Sequence, residues 1–250
     1  YKNDDGTYTL LVGYYNRNKK ETLDIPIGPD NKIEPGGPDQ GQPTHFEVGR
    51  GWGVIALRVP KDFGDKKLTW TITANGKTVS VPFGIVKGYQ IEPFLDAAMG
   101  NKPPVIKFTE SGKALTGPPA PLAEAFVVNG VAGQAVPLKF WVTDDGKEDT
   151  PTGGSAAAGG AAAAAAARAQ RTRVSTTLTK YRGPGEIKFA DSTPAIEKDM
   201  VNTTATFSLP GEYLIRIEGN DSSGVGGGGF QCCWTTAYIK AVIKAGPTGK

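Results

Sequence analysis

Glycine and proline interrupt this chain too often for a helical architecture. The 34 glycines and 19 prolines make up about a fifth of its 250 residues. In a helix interior each glycine costs about 1 kcal/mol relative to alanine, and each proline about 3 kcal/mol. The same residues favour tight turns, glycine by reaching positive φ and proline by fixing φ near −65°. The chain is therefore expected to run as short strands joined by turns. One segment states the pattern clearly: Leu68, Trp70 and Ile72 alternate with Lys67, Thr69, Thr71 and Thr73. Asn75-Gly76 then reverses the chain, a dipeptide suited to a two-residue hairpin, and Lys77 to Phe83 returns as the partner strand.

Similar segments recur along the chain. Strands are expected at Thr7 to Tyr15, Trp52 to Val59, Val105 to Phe108, Val136 to Thr143, Arg173 to Tyr181, Glu186 to Phe189, Thr203 to Phe207, Glu212 to Glu218 and Tyr238 to Ile243. Tyr213, Ile215 and Ile217 form a second apolar stripe of period two, the signature of a sheet with one buried face. Residues 28–46 and 109–135 read as long loops, a length usually reserved for binding or packing. Around 88–104 the chain reads as a connector, because Gly100-Asn101-Lys102-Pro103-Pro104 cannot continue a helix. These signals imply an all-β chain of two immunoglobulin-like antiparallel β-sandwich domains in tandem, residues 1–100 and 101–250. Residues 153–167 (GGSAAAGGAAAAAAA) and the four glycines 226–229 break the pattern. They read as placeholders where other side chains belong, as in a chain traced inside a native assembly.

Thr177 to Gly224 carries a more specific signal. Lys180, Gly183-Pro184-Gly185, Phe189, Thr203 to Phe207, Pro210-Gly211, Tyr213, Arg216 and Asp221 resemble the pattern of PKD/cadherin-like repeats in bacterial surface proteins. Val136 to Gly146 is similar to an earlier strand of that module. The whole chain also resembles uncharacterised secreted proteins of environmental bacteria, through residues 5–18, 24–46 and 228–243. These resemblances imply a sandwich fold and a periplasmic or extracellular setting, but no particular activity. Tyr213, just after a turn, stands where the tyrosine of a sandwich corner stands.

Composition narrows the function classes. A net charge of +3 is too small to argue for a nucleic-acid partner. No run approaches the 18 apolar residues of a membrane helix. One histidine, His45, and two adjacent cysteines, Cys232 and Cys233, leave little for zinc or Cys/His catalysis. Cys232 and Cys233 are open to three readings: a vicinal disulfide, two thiols, or a bond to another chain. Asp144, Asp145 and Asp221, at strand ends, are candidate oxygen ligands for Ca²⁺, although aspartate also favours turns. Asp4, Asp5, Asp30 and Asp39 are weaker candidates of the same kind. Trp52, Trp70, Trp141 and Trp234 include candidate sugar-stacking faces, and Trp234 is expected to face outward. No other cofactor is implied.

The expectation is a non-catalytic structural or interaction protein. Its partners would be other subunits of a larger assembly, to which it is extrinsic. That assembly is expected to be membrane-embedded, photosynthetic or respiratory, with any membrane contact made through the partners. A carbohydrate-binding or adhesive surface module is the alternative.

Overall fold

The computed structural model describes residues 1–90, 102–117, 119, 121–145, 174–221 and 234–246. These residues form 15 strands and, apart from short 3-10 turns, no helix. The fold is all-β with several antiparallel sheets.

Seven strands in three small groups carry the first half. Strands β1 (Tyr8–Asn16) and β5 (Gly49–Val59) form an antiparallel ribbon in which Leu10 faces Leu57 and Val12 faces Ile55. Strands β2 (Leu23–Asp24) and β4 (His45–Phe46) pair briefly. Strands β3 (Asn31–Glu34), β6 (Leu68–Ala74) and β7 (Lys77–Phe83) form a sheet in the order β3-β6-β7. The expected hairpin at Asn75-Gly76 is present, and both residues take positive φ. Leu10, Ile25, Ile33, Phe46, Ile55, Leu57, Leu68 and Trp70 form the core between ribbon and sheet.

The second half is sandwich-like. Strands β8 (Val105–Lys107), β10 (Ala135–Thr143), β12 (Ile187–Phe189) and β13 (Met200–Phe207) form one sheet, ordered β12-β13-β10-β8. Strands β9 (Phe126–Val131), β11 (Val174–Arg182), β14 (Gly211–Asp221) and β15 (Trp234–Lys244) form the other, ordered β11-β14-β15-β9. Leu138, Phe140, Val201 and Phe207 of the first sheet meet Leu178, Ile215, Ile217 and Ile239 of the second. Ile215 and Ile217 are fully buried, a burial contributing about 1.5–3 kcal/mol for each side chain. Both apolar stripes thus face cores, although Ile72 at the end of the first is only half-buried.

Tyr213 closes the sandwich corner. Its hydroxyl donates to the Leu209 carbonyl at 2.8 Å, the tie expected of a tyrosine there. The Gly183-Pro184-Gly185 turn lies against its ring. A Cβ on Gly183 would stand 2.1 Å from Tyr213 Cδ1, and the φ of Gly183 is +148°. Glycine is required there twice over, by contact and by backbone.

Both expected long loops contain strands. Residues 28–46 hold β3 and β4, whose backbone pairs with β6 and β2. Residues 109–135 hold β9, which pairs parallel with β15. Asn129-Gly130 reads locally as a turn, but the partner strand is more than a hundred residues away, and tertiary pairing overrides the local signal. The expected boundary near residue 100 lies outside the described residues.

Candidate functional site

The outer face of β14 and β15 carries Arg216, Glu218, Thr236 and Tyr238, cross-strand neighbours in the register. Such a polar row ordinarily faces water. Here the first half covers it, and Arg216 and Glu218 form an ion pair with only 11% of either side chain exposed. Burial works against the Arg216 charge, but the adjacent Glu218 carboxylate outweighs it and raises its pKa.

Around that pair, side chains of the second half bond to the first. The Tyr181 hydroxyl donates to the Gly41 carbonyl at 2.6 Å and lies 3.2 Å from the Val54 carbonyl. The Tyr238 hydroxyl donates to the same Val54 carbonyl at 3.3 Å. Burial raises both phenol pKa values, that of Tyr238 to about 12, so both keep the proton they donate. Arg182 donates to the Gln42 carbonyl at 2.8 Å and clasps Asp39 through two bonds of 2.9 and 2.7 Å. The Arg182 hydrogen bonds are the main reason that the Asp39 carboxyl lies below its usual range. A cavity of about 670 Å³ beside this junction is lined by Asp39, Arg182, Tyr181, Tyr238, Glu212 and Lys240.

His45 sits in the same junction. Its Nδ1 lies 3.0 Å from Asp24, whose carboxylate also receives Lys180 Nζ at 2.7 Å, and its Nε2 lies 3.5 Å from Glu47. His45 and Lys180 are buried, while both carboxylates are nearly half exposed. Burial disfavours the imidazolium, but Glu47 and Asp24 outweigh it and raise the His45 pKa. Burial likewise opposes the Asp24 charge, and the bonds from Lys180 and His45 overcome it and lower the pKa. These four groups tie β2 and β4 to β11.

A larger opening lies within the first half. The β3-β6-β7 sheet is one strand wider than the ribbon that covers it. Trp70 on β6 is buried, whereas its neighbour Val81 on β7 is 51% exposed, and Val79 is 57% exposed. The result is a groove of about 1120 Å³ between β7 and β1. Its rim carries exposed Tyr15, Trp52 and Tyr89. The Arg50 guanidinium lies 4.5 Å from the Tyr15 ring centre and 5.4 Å from that of Trp52, within cation–π range. Arg50 is the only charged side chain among the lining residues described.

The candidate residues fall differently. Trp234 is a correction: it is 1% exposed, because the outer face of β15 packs against the first half near Gly53. It cannot offer a stacking face to solvent. Trp70 is core, Trp141 is half-buried beneath Lys139, and Trp52 is exposed. Asp144 and Asp145 follow β10, Asp221 closes β14, and each has an interaction partner. Among the described residues no three acidic, histidine or cysteine side chains gather as metal ligands do. Cys232 and Cys233 lie outside the described residues. The groove was not anticipated from the sequence, although Val79 and Val81 beside Trp70 and Ile72 mark an apolar face continuing onto an edge strand. Comparison with family models, with curated proteins and with solved structures finds no match to this chain.

Proposed function

We propose that this chain is a non-catalytic extracytoplasmic interaction protein, an extrinsic subunit that docks onto a larger, membrane-embedded assembly through its first half. The observation that carries the reading is the open groove between β1 and β7, with Tyr15, Arg50 and Trp52 stacked on its rim. Tryptophan, tyrosine and arginine are the residues that dominate binding energy at protein interfaces. The bonded junction supports the same reading, since it fixes the second half against the first as a rigid mount. The titratable cluster of Asp24, His45 and Lys180 lines neither the groove nor the junction cavity. Its charges are consumed in holding the halves together. The PKD/cadherin-like resemblance of 177–224, with the Tyr213 corner, supports an immunoglobulin-like second half and an extracytoplasmic setting.

The test is migration of the native protein in mild detergent. The chain is expected to run with a large assembly, and an Arg50→Glu, Trp52→Ala variant to run free of it. A wild-type chain that runs free refutes the proposal.

A second reading is favoured by one observation: Trp52, Tyr15 and Tyr89 present aromatic surface to solvent, as carbohydrate-binding modules do. Glycan-array binding abolished by Trp52→Ala would establish it.

A further inference from the structure

We infer that the groove takes an extended segment of a partner chain, added as a β-strand along the free edge of β1. This rests on the docking reading above and names the form of the partner that fits.

Strand β1 has two edges, and one of them is paired along its length with β5. Among the described residues the other is paired only at its start. Tyr1 exchanges two backbone hydrogen bonds with Thr9, at 3.0 and 2.9 Å, and Asn3 donates to the Thr7 carbonyl at 2.8 Å. In an antiparallel ladder alternate residues direct both backbone groups to the same side. Thr9 directs its groups to the outer edge, so Leu11 does as well. From Leu11 to Tyr15 that edge has no strand partner among the described residues. An unpaired edge of this kind is a template for another strand, and peptide recognition by strand addition uses it.

The opposite wall favours β1 over β7 as the pairing edge. Strand β7 is also terminal in its sheet, but it carries Pro82, which lacks the N–H that a ladder needs. What β7 offers is side chains. Val79 and Val81 face the groove beside Ile72 and Trp70. A strand seated on β1 therefore places every second side chain over Val79 and Val81, filling the inner face that the ribbon leaves bare. These alternate residues must be apolar.

Charge sets the remaining requirement. The Arg50 guanidinium is the one charged side chain among the described lining residues, and none of them is acidic. Arg50 lies opposite Tyr15 in the ribbon, at the far end of the free edge. The fitting partner segment alternates apolar and polar residues and carries a carboxylate at the end that reaches Arg50.

The probe is a labelled nine-residue peptide of alternating valine and threonine with one terminal aspartate. Its binding to the full chain is read by fluorescence anisotropy and its footprint by amide hydrogen exchange. Binding is expected, with the Leu11 amide slowed at saturation. A peptide with lysine in place of aspartate is expected to bind at least about tenfold more weakly, and so is one N-methylated at alternate residues. Arg50→Glu, at an exposed position, is expected to reverse the preference between aspartate and lysine peptides. Val81→Glu, also exposed, is expected to weaken both.

Four results overturn the inference. The N-methylated peptide binding as well as its parent means that backbone pairing plays no part. Laurate binding where no peptide binds makes the groove an amphiphile site. Slowed exchange at Ser80 with none at Leu11 puts the strand on β7. A Leu11 amide already protected in the free chain means that the chain, or a second copy of it, fills its own groove. The docking reading fails separately, by migration of the native protein.

Discussion

Replacing Tyr181 with phenylalanine tests whether the junction couples the two halves. The ring stays in place against Tyr238, whose centroid lies 5.0 Å away, and only the hydroxyl is lost. That hydroxyl donates to the Gly41 carbonyl at 2.6 Å and lies 3.2 Å from the Val54 carbonyl. Val54 keeps the Tyr238 hydroxyl at 3.3 Å, so the single change strands only the Gly41 carbonyl. One neutral hydrogen bond contributes about 0.5–1.5 kcal/mol, and an orphaned buried acceptor adds to the loss. Gly41 is half-buried, so water recovers part of that penalty. The expected cost is about 1–2 kcal/mol, or a fall of roughly 2–8 °C in Tm for a chain of this size. Urea unfolding and calorimetry of the full chain would measure it. The cycle with Tyr238→Phe is sharper. The double variant strips Val54 of both donors, so its cost should exceed the sum of the singles by about 1 kcal/mol. Singles that change stability by less than about 0.3 kcal/mol, or a cycle that is additive within that margin, would refute the coupling.

Gly183→Ala should destabilise the protein by at least about 2 kcal/mol, since it meets both the Tyr213 ring and an unfavourable φ; an unchanged melting curve contradicts the corner packing. His45→Gln should show its largest stability loss at acidic pH. The His45 pKa is raised in the fold, so its stabilising effect is complete below the ordinary imidazole pKa of about 6.5 and is lost as pH rises through the folded value. Melts of wild type and variant that differ equally at pH 5.5 and above pH 8 would contradict the ion pairs. The depressed Asp24 pKa acts in the other direction, stabilising above the ordinary carboxylate value and losing that effect as pH falls through the folded one. Arg182→Lys cannot reproduce the two-pronged clasp on Asp39, so the Asp39 carboxyl should titrate higher, as followed by carbon NMR. An Asp39 titration that does not move would place the cause elsewhere.

Period-two stripes and turn chemistry are local, and they identified most of the strands. Leu68, Trp70, Tyr213, Ile215 and Ile217 declare their faces by alternation, and Tyr213 declares its corner by following Pro210-Gly211. Pairings between distant segments were less legible. Strand β9 carries Asn129-Gly130 in its middle, and only β15 makes it a strand. The junction was hidden for a different reason. Arg216, Glu218 and Thr236 alternate with core residues as a solvent-facing row does, and polarity alone cannot tell water from a second layer packed over the row. Trp234 follows Cys232-Cys233 and a glycine run, surroundings that suggest an outward side chain, but the cover on its face comes from residues around Gly53. The groove depends on the ribbon being narrower than the sheet beneath it, which no single segment encodes.

Hydrogen exchange of the chain held in its native assembly, compared with the free chain, tests the central claim most directly. The account predicts that the amides of Leu11 to Tyr15 exchange more slowly in the assembly, while those on the exposed side of β12, around Lys188, exchange alike in both. Protection around Lys188 with none at Leu11 to Tyr15 would contradict it.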